Sequence, residues 1–307
     1  MCSRIYSGIN AIPKGDAPDA ITEGCLVLEG GAFRGVYTNG VLDALMEQGI
    51  MLRTTYGVSA GALNGINYAA GQIGRSARLN LRYRLDSRYV GKDALKGNKG
   101  LIGFDFMFTE QKGIEKLNTE RVLHGGQELF SVAACMETAK AEAFGNTGTI
   151  EEVFRAAQAS ASMPYVSRPV EINGKHYLDG GCVCKIPYKF ALERDFEKIV
   201  VVRTRTRSFR KPMKMKRRIP SAERLIFGGN YPEFAAELAR SHESYDRQCD
   251  ELETLEAKGR IFVIAPSESV AVSRLERDIE KLGRLYHLGY NDAMERMDSL
   301  KNYLGIK

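Results

Sequence analysis

The sequence predicts an α/β fold in which a mostly parallel central sheet is flanked by helices on both faces. Short apolar runs at residues 25–28 and Ile199–Val202 have the length and composition of buried strands. Stretches with apolar residues at helical spacing, such as residues 34–47, alternate with these runs along the chain. Alternation of strands with helices produces a parallel sheet that is covered on both sides.

A glycine-rich segment with the sequence G-G-A-F-R-G follows the first predicted strand, at residues 30–35. The helix that comes next has four apolar residues on one face, which are Val36, Val41, Leu42 and Leu45. Backbone N–H groups of such a loop are suited to hold a developing oxyanion. Taken alone, the segment also fits a tight turn or a phosphate-binding loop, so its interpretation depends on its neighbours.

A second segment, G-V-S-A-G at residues 57–61, has the G-x-S-x-G form of a nucleophile elbow. In such an elbow the serine, here Ser59, sits on a strained turn between a strand and a helix. Gly57 and Gly61 suit this turn because it crowds the backbone. A predicted strand at residues 54–56 and a predicted helix from Ala60 supply the required context. The segment therefore predicts a nucleophilic serine.

Asp179 is the third element, because it ends a short predicted strand and is followed by Gly180 and Gly181. The two glycines permit close backbone approach, so the carboxylate can be held at a fixed angle. An isolated Asp-Gly pair more often marks a β-turn. Together with the two earlier segments, we interpret Asp179 as the base for Ser59. Both residues are expected at the carboxyl ends of neighbouring strands.

Histidine is the usual alternative to an aspartate base. The chain has four histidines and none lies in a motif, the four being His124, His176, His242 and His287. Alternation along a strand would point His176 away from the face that carries Asp179. Burial of an aspartate strengthens it as a base, because burial disfavours the charged form. A Ser-His-Asp triad is therefore the lesser alternative.

With these segments, the chain closely resembles the patatin-like phospholipase family, as a bacterial member with a helical C-terminal extension. The resemblance rests on four blocks, at residues 30–35, 57–61, 159–164 and 179–181. It implies an α/β/α sandwich and a catalytic dyad of Ser59 and Asp179, without histidine, cofactor or metal. It also implies an oxyanion hole in the glycine loop, formed by Gly30, Gly31, Ala32, Arg34 and Gly35.

One position departs from the family pattern, which usually reads G-G-G-x-R-G where this chain has Ala32. Alanine resists a positive φ, so we expect the loop to be slightly different or slightly strained. The resemblance implies a serine-dependent lipid acyl hydrolase of the phospholipase A or esterase type, which forms an acyl-enzyme. Its substrate is a lipid or another fatty-acyl ester. A thioesterase or acyltransferase on soluble acyl donors stays open, as does a non-catalytic lipid-binding protein.

Length and composition favour one catalytic domain with an extension. The chain has 307 residues, 44% of them hydrophobic, which is ample for a substantial core. We expect an N-terminal arm at residues 1–20, a catalytic core at 21–200, and sheet completion with a helical extension at 201–307. No apolar run approaches the roughly 20 residues of a membrane span, and no signal-peptide pattern follows the first residues, so the default location is the cytoplasm.

The net charge and its distribution along the chain indicate which binding partners are expected. The net charge of +6 is modest and no recognition motif is present, which argues against nucleic acid. Residues 203–218 are rich in basic residues without an acid, and include Phe209, Met213 and Met215. This segment suits peripheral contact with an anionic membrane surface, with a solvated loop as the alternative. The basic residues are Arg203, Arg205, Arg207, Arg210, Lys211, Lys214, Lys216, Arg217 and Arg218. The sequence does not indicate an oligomeric state.

Further predictions concern a lid, a cysteine pair and the C-terminal segment. Residues 87–109, glycine-rich with an apolar centre, are the candidate lid. The Cys182-x-Cys184 pair lacks the second pair that a zinc site needs. Helical patterns are predicted at residues 232–257 and 273–304, on either side of a last strand at 260–266.

Overall fold

The computed structural model of the chain describes residues 5–98, 100–109, 113–210 and 225–306. Within these residues the strands are β1 (Gly15–Asp16), β2 (Thr22–Leu28), β3 (Leu52–Val58), β4 (Gln72–Ile73), β5 (Glu128–Cys135), β6 (Ala141–Phe144), β7 (Val170–Ile172), β8 (Lys175–Asp179), β9 (Ile199–Val202) and β10 (Phe262–Ile264).

The helices of the described residues connect and cover these strands. They are α1 (Val36–Glu47), α2 (Ala60–Ala69), α3 (Arg75–Tyr83), α4 (Lys92–Asn98), α5 (Phe104–Phe108), α6 (Thr119–His124), α7 (Ile150–Ala161), α8 (Tyr188–Glu193), α9 (Pro232–Ala257), α10 (Ile279–Glu295) and α11 (Met297–Leu304). Single 3₁₀ turns lie at Ile9–Ala11, Ala32–Gly35 and Gly180–Cys182.

The central sheet has the strand order β10-β9-β2-β3-β5-β8-β7, and β6 pairs with β5 outside this path. Strands β10, β9, β2, β3 and β5 are parallel to one another. Strands β6 and β8 run antiparallel to β5, and β7 runs antiparallel to β8. The prediction of a mostly parallel sheet is confirmed, and the antiparallel end is a feature that the sequence pattern did not specify.

Helices cover both faces of the sheet, because successive side chains of a strand point to opposite sides. On β2, Leu26 and Leu28 belong to the core cluster formed with α1, α2 and α10. Cys25 and Val27 belong to the opposite cluster, formed with α8 and α9. Strand β9 alternates in the same way. The predicted α/β/α sandwich is therefore confirmed, and Cys25 is a fully buried thiol.

Strand β5 carries two different strands along one of its edges. Strand β3 pairs with residues 128–132 of β5, and β8 pairs with residues 133–135. Strand β6 pairs with residues 131–134 of β5, a range that overlaps both of these stretches, so β6 must lie along the other edge of β5. Strands β3 and β8 consequently meet end to end, with Val58 opposite Val132 and Asp179 opposite Ala133. The sequence had led us to expect β3 and β8 as neighbouring strands that lie side by side. That expectation is wrong, because the two strands share one edge of β5.

Helix α1 and the C-terminal helix α10 cross in backbone contact. A Cβ on Gly40 would lie 2.1 Å from the carbonyl oxygen of Tyr286, and one on Gly289 would lie 2.0 Å from that of Tyr37. Two buried hydrogen bonds join the same helices. Tyr286 Oη donates to Asp43 at 2.8 Å, and Tyr37 Oη donates to Asp292 at 2.9 Å. The extension is thus anchored on the helix that follows the glycine loop.

The helix predicted over residues 273–304 is wrong in extent. Asp278 caps α10 by accepting the N–H of Lys281 at 3.0 Å, so the helix begins at Ile279. Arg296 then separates α10 from α11. Leu275, which the pattern had placed on the helix, lies in the preceding segment and is partly exposed.

The basic segment is also not a free surface loop where the structure describes it. Arg203 is buried, and Arg207 pairs with Glu256. Arg210 pairs with Asp250 and Glu253, each at 2.7 Å. These acidic partners lie on α9, far away in sequence, which is why the local charge pattern misled. Lys211, Lys214, Lys216, Arg217 and Arg218 lie outside the described residues.

Within the described residues, no helix combines the length and the apolar character that a membrane crossing requires.

We predict that Gly289→Ala destabilises the protein by at least about 2 kcal/mol, because the new methyl group would overlap the backbone of α1. The matched control is Gly97→Ala in α4, where no heavy atom of the described residues lies within 4 Å of the added Cβ, apart from the adjacent residues and the backbone of the helix itself. We expect that control to be neutral or slightly stabilising. Urea unfolding followed by circular dichroism measures both. Equal stability of the two variants would contradict the close crossing.

Candidate active site

Ser59 and Asp179 are brought together by the end-to-end meeting of β3 and β8. Ser59 directly follows β3, and Asp179 is the last residue of β8. Ser59 Oγ donates a hydrogen bond of 2.6 Å to Asp179 Oδ2. Both residues are buried, with 7% and 8% of their surfaces exposed. A hydroxyl in contact with a buried carboxylate has the geometry of a nucleophile next to its base.

The G-x-S-x-G segment forms a strained elbow. Ser59 has φ 56° and ψ −121°, a positive φ that is rare outside glycine, and α2 begins at the next residue. A Cβ on Gly57 would lie 2.5 Å from the backbone of Gly61, and one on Gly61 would lie 2.4 Å from the carbonyl oxygen of Leu28. Both positions therefore require glycine.

The end of α7 holds the backbone on both sides of the dyad. Ser160 Oγ accepts the N–H of Ser59 at 2.9 Å and donates to the carbonyl of Val132 at 2.6 Å. The carbonyl of Ser162 accepts the N–H of Asp179 at 2.8 Å. From sequence, this segment was only a run of small residues near the site. The role of Ser160 was missed because its partners are distant in sequence.

The surroundings of Asp179 determine its strength as a base. Burial raises the pKa of its carboxyl group above the ordinary value, while the hydrogen bond from Ser59 opposes this shift. The N–H of Gly181 donates to Asp179 Oδ1 at 2.8 Å, and the positive charges of Lys185 and Arg274 also lower the pKa. Asp179 is thus a stronger proton acceptor than a surface aspartate.

Lys185 is a residue of the site that the sequence reasoning missed. Its Nζ donates to the carbonyl of Gly181 at 2.7 Å and to that of Ser241 at 3.0 Å. Burial lowers the pKa of Lys185 to about 8. The ammonium group fixes the turn whose N–H binds Asp179, and it supplies positive charge near that carboxylate. A lysine six residues after Asp179 in the sequence carried no pattern that indicated this.

The glycine loop is a 3₁₀ turn at Ala32–Gly35, beside the elbow. The N–H groups of Gly30 and Arg34 are bonded to backbone carbonyls at 3.1 Å. Within the described part of the chain, the N–H groups of Gly31 and Ala32 have no acceptor, and neither has that of Ala60, the first residue of α2. Such donors are suited to an oxyanion, and Ala60 is an addition to the predicted set.

Ala32 adopts the left-handed conformation, with φ 49°. Because alanine replaces the third glycine of the family pattern, we expected the loop to be either different or strained. The structure supports strain, since a non-glycine residue in the left-handed conformation costs roughly 1 kcal/mol.

No histidine in the described residues bonds to Ser59. His176 Nδ1 lies 2.9 Å from Glu137 Oε1, and His287 contacts the rings of Tyr6 and Tyr286. The polar contact of the serine hydroxyl is therefore with Asp179.

A largely apolar pocket opens at Ser59. Its lining includes the loop, the elbow and α2, together with Ile102 and Met107 from the candidate lid, Met163 and Leu275. Ala32 and Ala60, whose N–H groups are free, also lie in this lining. The arrangement can hold an acyl chain next to a nucleophile and an oxyanion site.

Among the described residues, no group of three or more potential metal ligands is present. Cys182 is buried, and Cys184 Sγ lies 3.5 Å from the carbonyl oxygen of Ile186.

Two family models match the chain. The model described as patatin-like phospholipase matches residues 26–192, which is more than half of the chain and includes Ser59 and Asp179. A domain of unknown function (DUF6363) matches residues 231–305, which contain α9 to α11.

Similar proteins are found in bacteria and in a virus. The uncharacterized protein YjjU of Escherichia coli K12 is 30% identical over an alignment of 275 residues that covers 85% of this chain and 74% of YjjU. The probable lipid hydrolase 463L of invertebrate iridescent virus 6 is 28% identical over an alignment of 187 residues that covers 55% of this chain and 63% of 463L. The structure of VipD from Legionella pneumophila aligns with a TM-score of 0.45 and 15% identity, over 92% of this chain and 68% of VipD.

We predict that Ala32→Gly keeps the protein at least as stable as the natural chain, because relief of the left-handed strain offsets the greater freedom of unfolded glycine. The control Ala239→Gly, in the middle of α9, should lose about 1 kcal/mol. Thermal unfolding compares the three proteins. An equal loss in both variants would show that Ala32 is unstrained.

We predict that Lys185→Met moves the acid limb of Ser59 reactivity to higher pH. The base acts in its ionised form, and the Lys185 charge lowers the pKa of Asp179, so removing that charge raises the pH at which the base is lost. The rate of labelling by a fluorophosphonate, measured against pH, reports this limb. Lys189→Met, at an exposed position on α8, is the control and should leave the limb in place. If the acid limb of the pH profile lies at the same pH in Lys185→Met as in the natural chain, the role of this charge is refuted.

Proposed function

The chain belongs to the patatin-like phospholipase family, and on this premise we propose that it is a lipid hydrolase that cleaves fatty-acyl esters through a Ser59–Asp179 dyad. The observation that carries the proposal is the 2.6 Å hydrogen bond from Ser59 Oγ to a buried carboxylate. The similarity to a viral protein named as a probable lipid hydrolase supports the same reaction class.

In the first half of the reaction, Ser59 Oγ forms a bond to the acyl carbon while Asp179 Oδ2 accepts the hydroxyl proton. The carbonyl electrons move to the oxygen, which the free N–H groups of Gly31, Ala32 and Ala60 would stabilise. When the tetrahedral intermediate collapses, the bond to the leaving alcohol breaks. The alcohol takes the proton from Asp179, and the acyl group stays on Ser59.

In the second half, a water molecule takes the place of the alcohol. Asp179 accepts a proton from the water as its oxygen attacks the acyl carbon. Collapse then breaks the bond to Ser59 Oγ, which regains the proton, and the fatty acid leaves. The raised pKa of Asp179 suits both roles, since the same carboxyl group alternates between base and acid.

A group of exposed apolar side chains supports peripheral contact with a lipid surface. Tyr165 and Val166 are 50% and 40% exposed, and Leu225 and Ile226 are 85% and 57% exposed. The rings of Tyr165 and Phe227 have centroids 5.8 Å apart and are tilted by 50°, which places Tyr165 beside the segment that carries Leu225 and Ile226 and defines the patch. The patch follows Met163, which lines the pocket. We propose that it contacts the lipid from which substrate enters.

Two alternatives make different predictions. A thioesterase or acyltransferase would use the same dyad on soluble acyl donors, and only its substrate preference would differ. A non-catalytic lipid-binding protein would bind acyl chains without reacting at Ser59.

The test is release of p-nitrophenol from short and long acyl esters. We expect Ser59→Ala and Asp179→Asn each to lose about 10³-fold or more in rate, because the nucleophile and the base act as one unit. Ser269→Ala and Asp19→Asn, both at exposed positions, are the matched controls and should keep full activity. Near-full activity in Asp179→Asn would mean that a group other than Asp179 acts as the base.

Labelling by a fluorophosphonate separates the remaining outcomes. A folded natural chain that neither hydrolyses any ester nor accepts the label at Ser59 would favour the lipid-binding alternative. Preference for soluble thioesters over vesicle phospholipids would favour the thioesterase.

A further inference from the structure

The pocket that opens at Ser59 is small. Its volume is about 60 Å³. A protein cavity of about 150 Å³ holds one benzene molecule, which has six carbon atoms. By that comparison the pocket has room for roughly two or three carbon atoms beyond the acyl carbon that Ser59 attacks. An acyl group of about four carbons therefore fills the pocket.

Polar side chains form the wall of this pocket that α3 provides. Helix α3 contributes Ser76 and Asn80 to the lining, and α2 contributes Asn64. Ser76 Oγ donates to Asn64 Oδ1 at 3.2 Å, and Tyr89 Oη donates to Asn80 Oδ1 at 2.8 Å. Asn64, Asn80 and Tyr89 are buried. The pocket is thus closed on this side by paired polar groups, although the rest of its lining is largely apolar.

A buried asparagine of α1, Asn39, ties the members of this wall together. Asn39 Nδ2 donates to Asn64 Oδ1 at 2.7 Å and to Ser76 Oγ at 3.0 Å. Asn80 Nδ2 donates to Asn39 Oδ1 at 3.3 Å and to the carbonyl of Ser76 at 2.9 Å. These bonds use both amide protons of Asn39 and both of Asn80. The wall is therefore a closed network that is anchored on three helices.

The network resists an acyl chain that is longer than the pocket. Methylene groups cannot replace the hydrogen bonds of Ser76 and Asn80, and a buried polar group that loses its partner is destabilising. Asn64 Nδ2 also donates to the carbonyl of Gly35 at 2.9 Å, so a displaced Asn64 would disturb the glycine loop. A long acyl chain would therefore lose more by pushing the wall aside than it gains by burial.

We propose that this network, formed by Asn39, Asn64, Ser76, Asn80 and Tyr89, limits the acyl group of the substrate to about four carbons. The inference rests on the proposed function and deepens it, because it names the substrate class as esters of short acyl groups. Ser76 and Asn80 determine specificity in this proposal and take no part in the bond-making steps.

The test is a series of p-nitrophenyl esters from acetate to dodecanoate, with kcat/KM as the readout. We expect the natural chain to be fastest on butyrate and about tenfold or more slower on octanoate, because the additional methylene groups find no room. A kcat/KM that rises steadily up to octanoate or dodecanoate would overturn the limit and leave the proposed function intact. This profile does not depend on the folding of any variant.

Two substitutions of Asn80 separate the space that its side chain fills from the hydrogen bonds that it makes. Asn80→Ala and Asn80→Leu lose the same bonds, but only alanine leaves space. In proteins that are folded by circular dichroism, Asn80→Ala should move the optimum to hexanoate or octanoate, and Asn80→Leu should keep it at butyrate. Asn302→Ala, at an exposed position on α11, is the control and should keep the natural profile. An unchanged optimum in Asn80→Ala, or an equal shift in Asn80→Leu, would overturn the proposal.

A binding measurement on Ser59→Ala separates the limit from the reaction. Butyrate and octanoate are titrated calorimetrically into Ser59→Ala, alone and combined with Asn80→Ala. Each buried methylene group strengthens binding about fourfold, so a long apolar pocket would strongly favour octanoate. We expect octanoate to bind no more tightly than butyrate to Ser59→Ala, and about tenfold more tightly in the double variant. That result supports the limit even if no ester is hydrolysed and the proposed function fails. Octanoate that binds about tenfold more tightly than butyrate to Ser59→Ala itself would overturn the limit.

Discussion

The pairing of strand β5 with two strands along one edge is the constraint on which the site depends. Strand β3 arrives parallel to β5 and β8 arrives antiparallel, so their carboxyl ends meet beside Val132 and Ala133. Ser59 and Asp179 then stand close enough for a 2.6 Å hydrogen bond. A slip of β8 by one residue would turn the carboxylate to the other face of the sheet. The strained elbow, the 3₁₀ turn after Asp179 and the end of α7 all fix the positions of Ser59 and Asp179 where the two strands meet.

The buried backbone groups next to Ser59 and Asp179 are paired where β3 and β8 meet. Buried side-chain atoms without a partner are present near the site and also elsewhere among the described residues, for example Thr38 Oγ1 and Arg78 Nε. Ser160 and Ser162 satisfy the backbone around the dyad, and Lys185 satisfies the turn after Asp179. Unpaired buried donors remain on the glycine loop, at the start of α2 and on Arg34. Because an unpaired buried donor is costly, such donors are expected where a ligand completes them. The backbone donors of the loop and of α2 suit an oxyanion.

The C-terminal segment contributes to the site through the glycine loop. Helix α1 starts directly after that loop, and α10 crosses α1 in backbone contact at Gly40 and Gly289. The segment before α10 adds a bond from Phe33 to the carbonyl of Arg274, and it places Leu275 in the pocket. The loop is therefore held between the sheet and the extension, which accounts for its tolerance of a strained Ala32.

The sequence by itself determined the α/β/α class, because apolar runs and helical periods are local patterns. It also determined that Ser59 sits on an elbow, since only glycine fits at Gly57 and Gly61. Tertiary structure alone decided the antiparallel course of β8, the roles of Ser160 and Lys185, and the pairing of Arg207 and Arg210 with acids of α9. These features depend on partners far away in the chain. Local sequence cannot encode such contacts, because they exist only when the sheet and helices pack together.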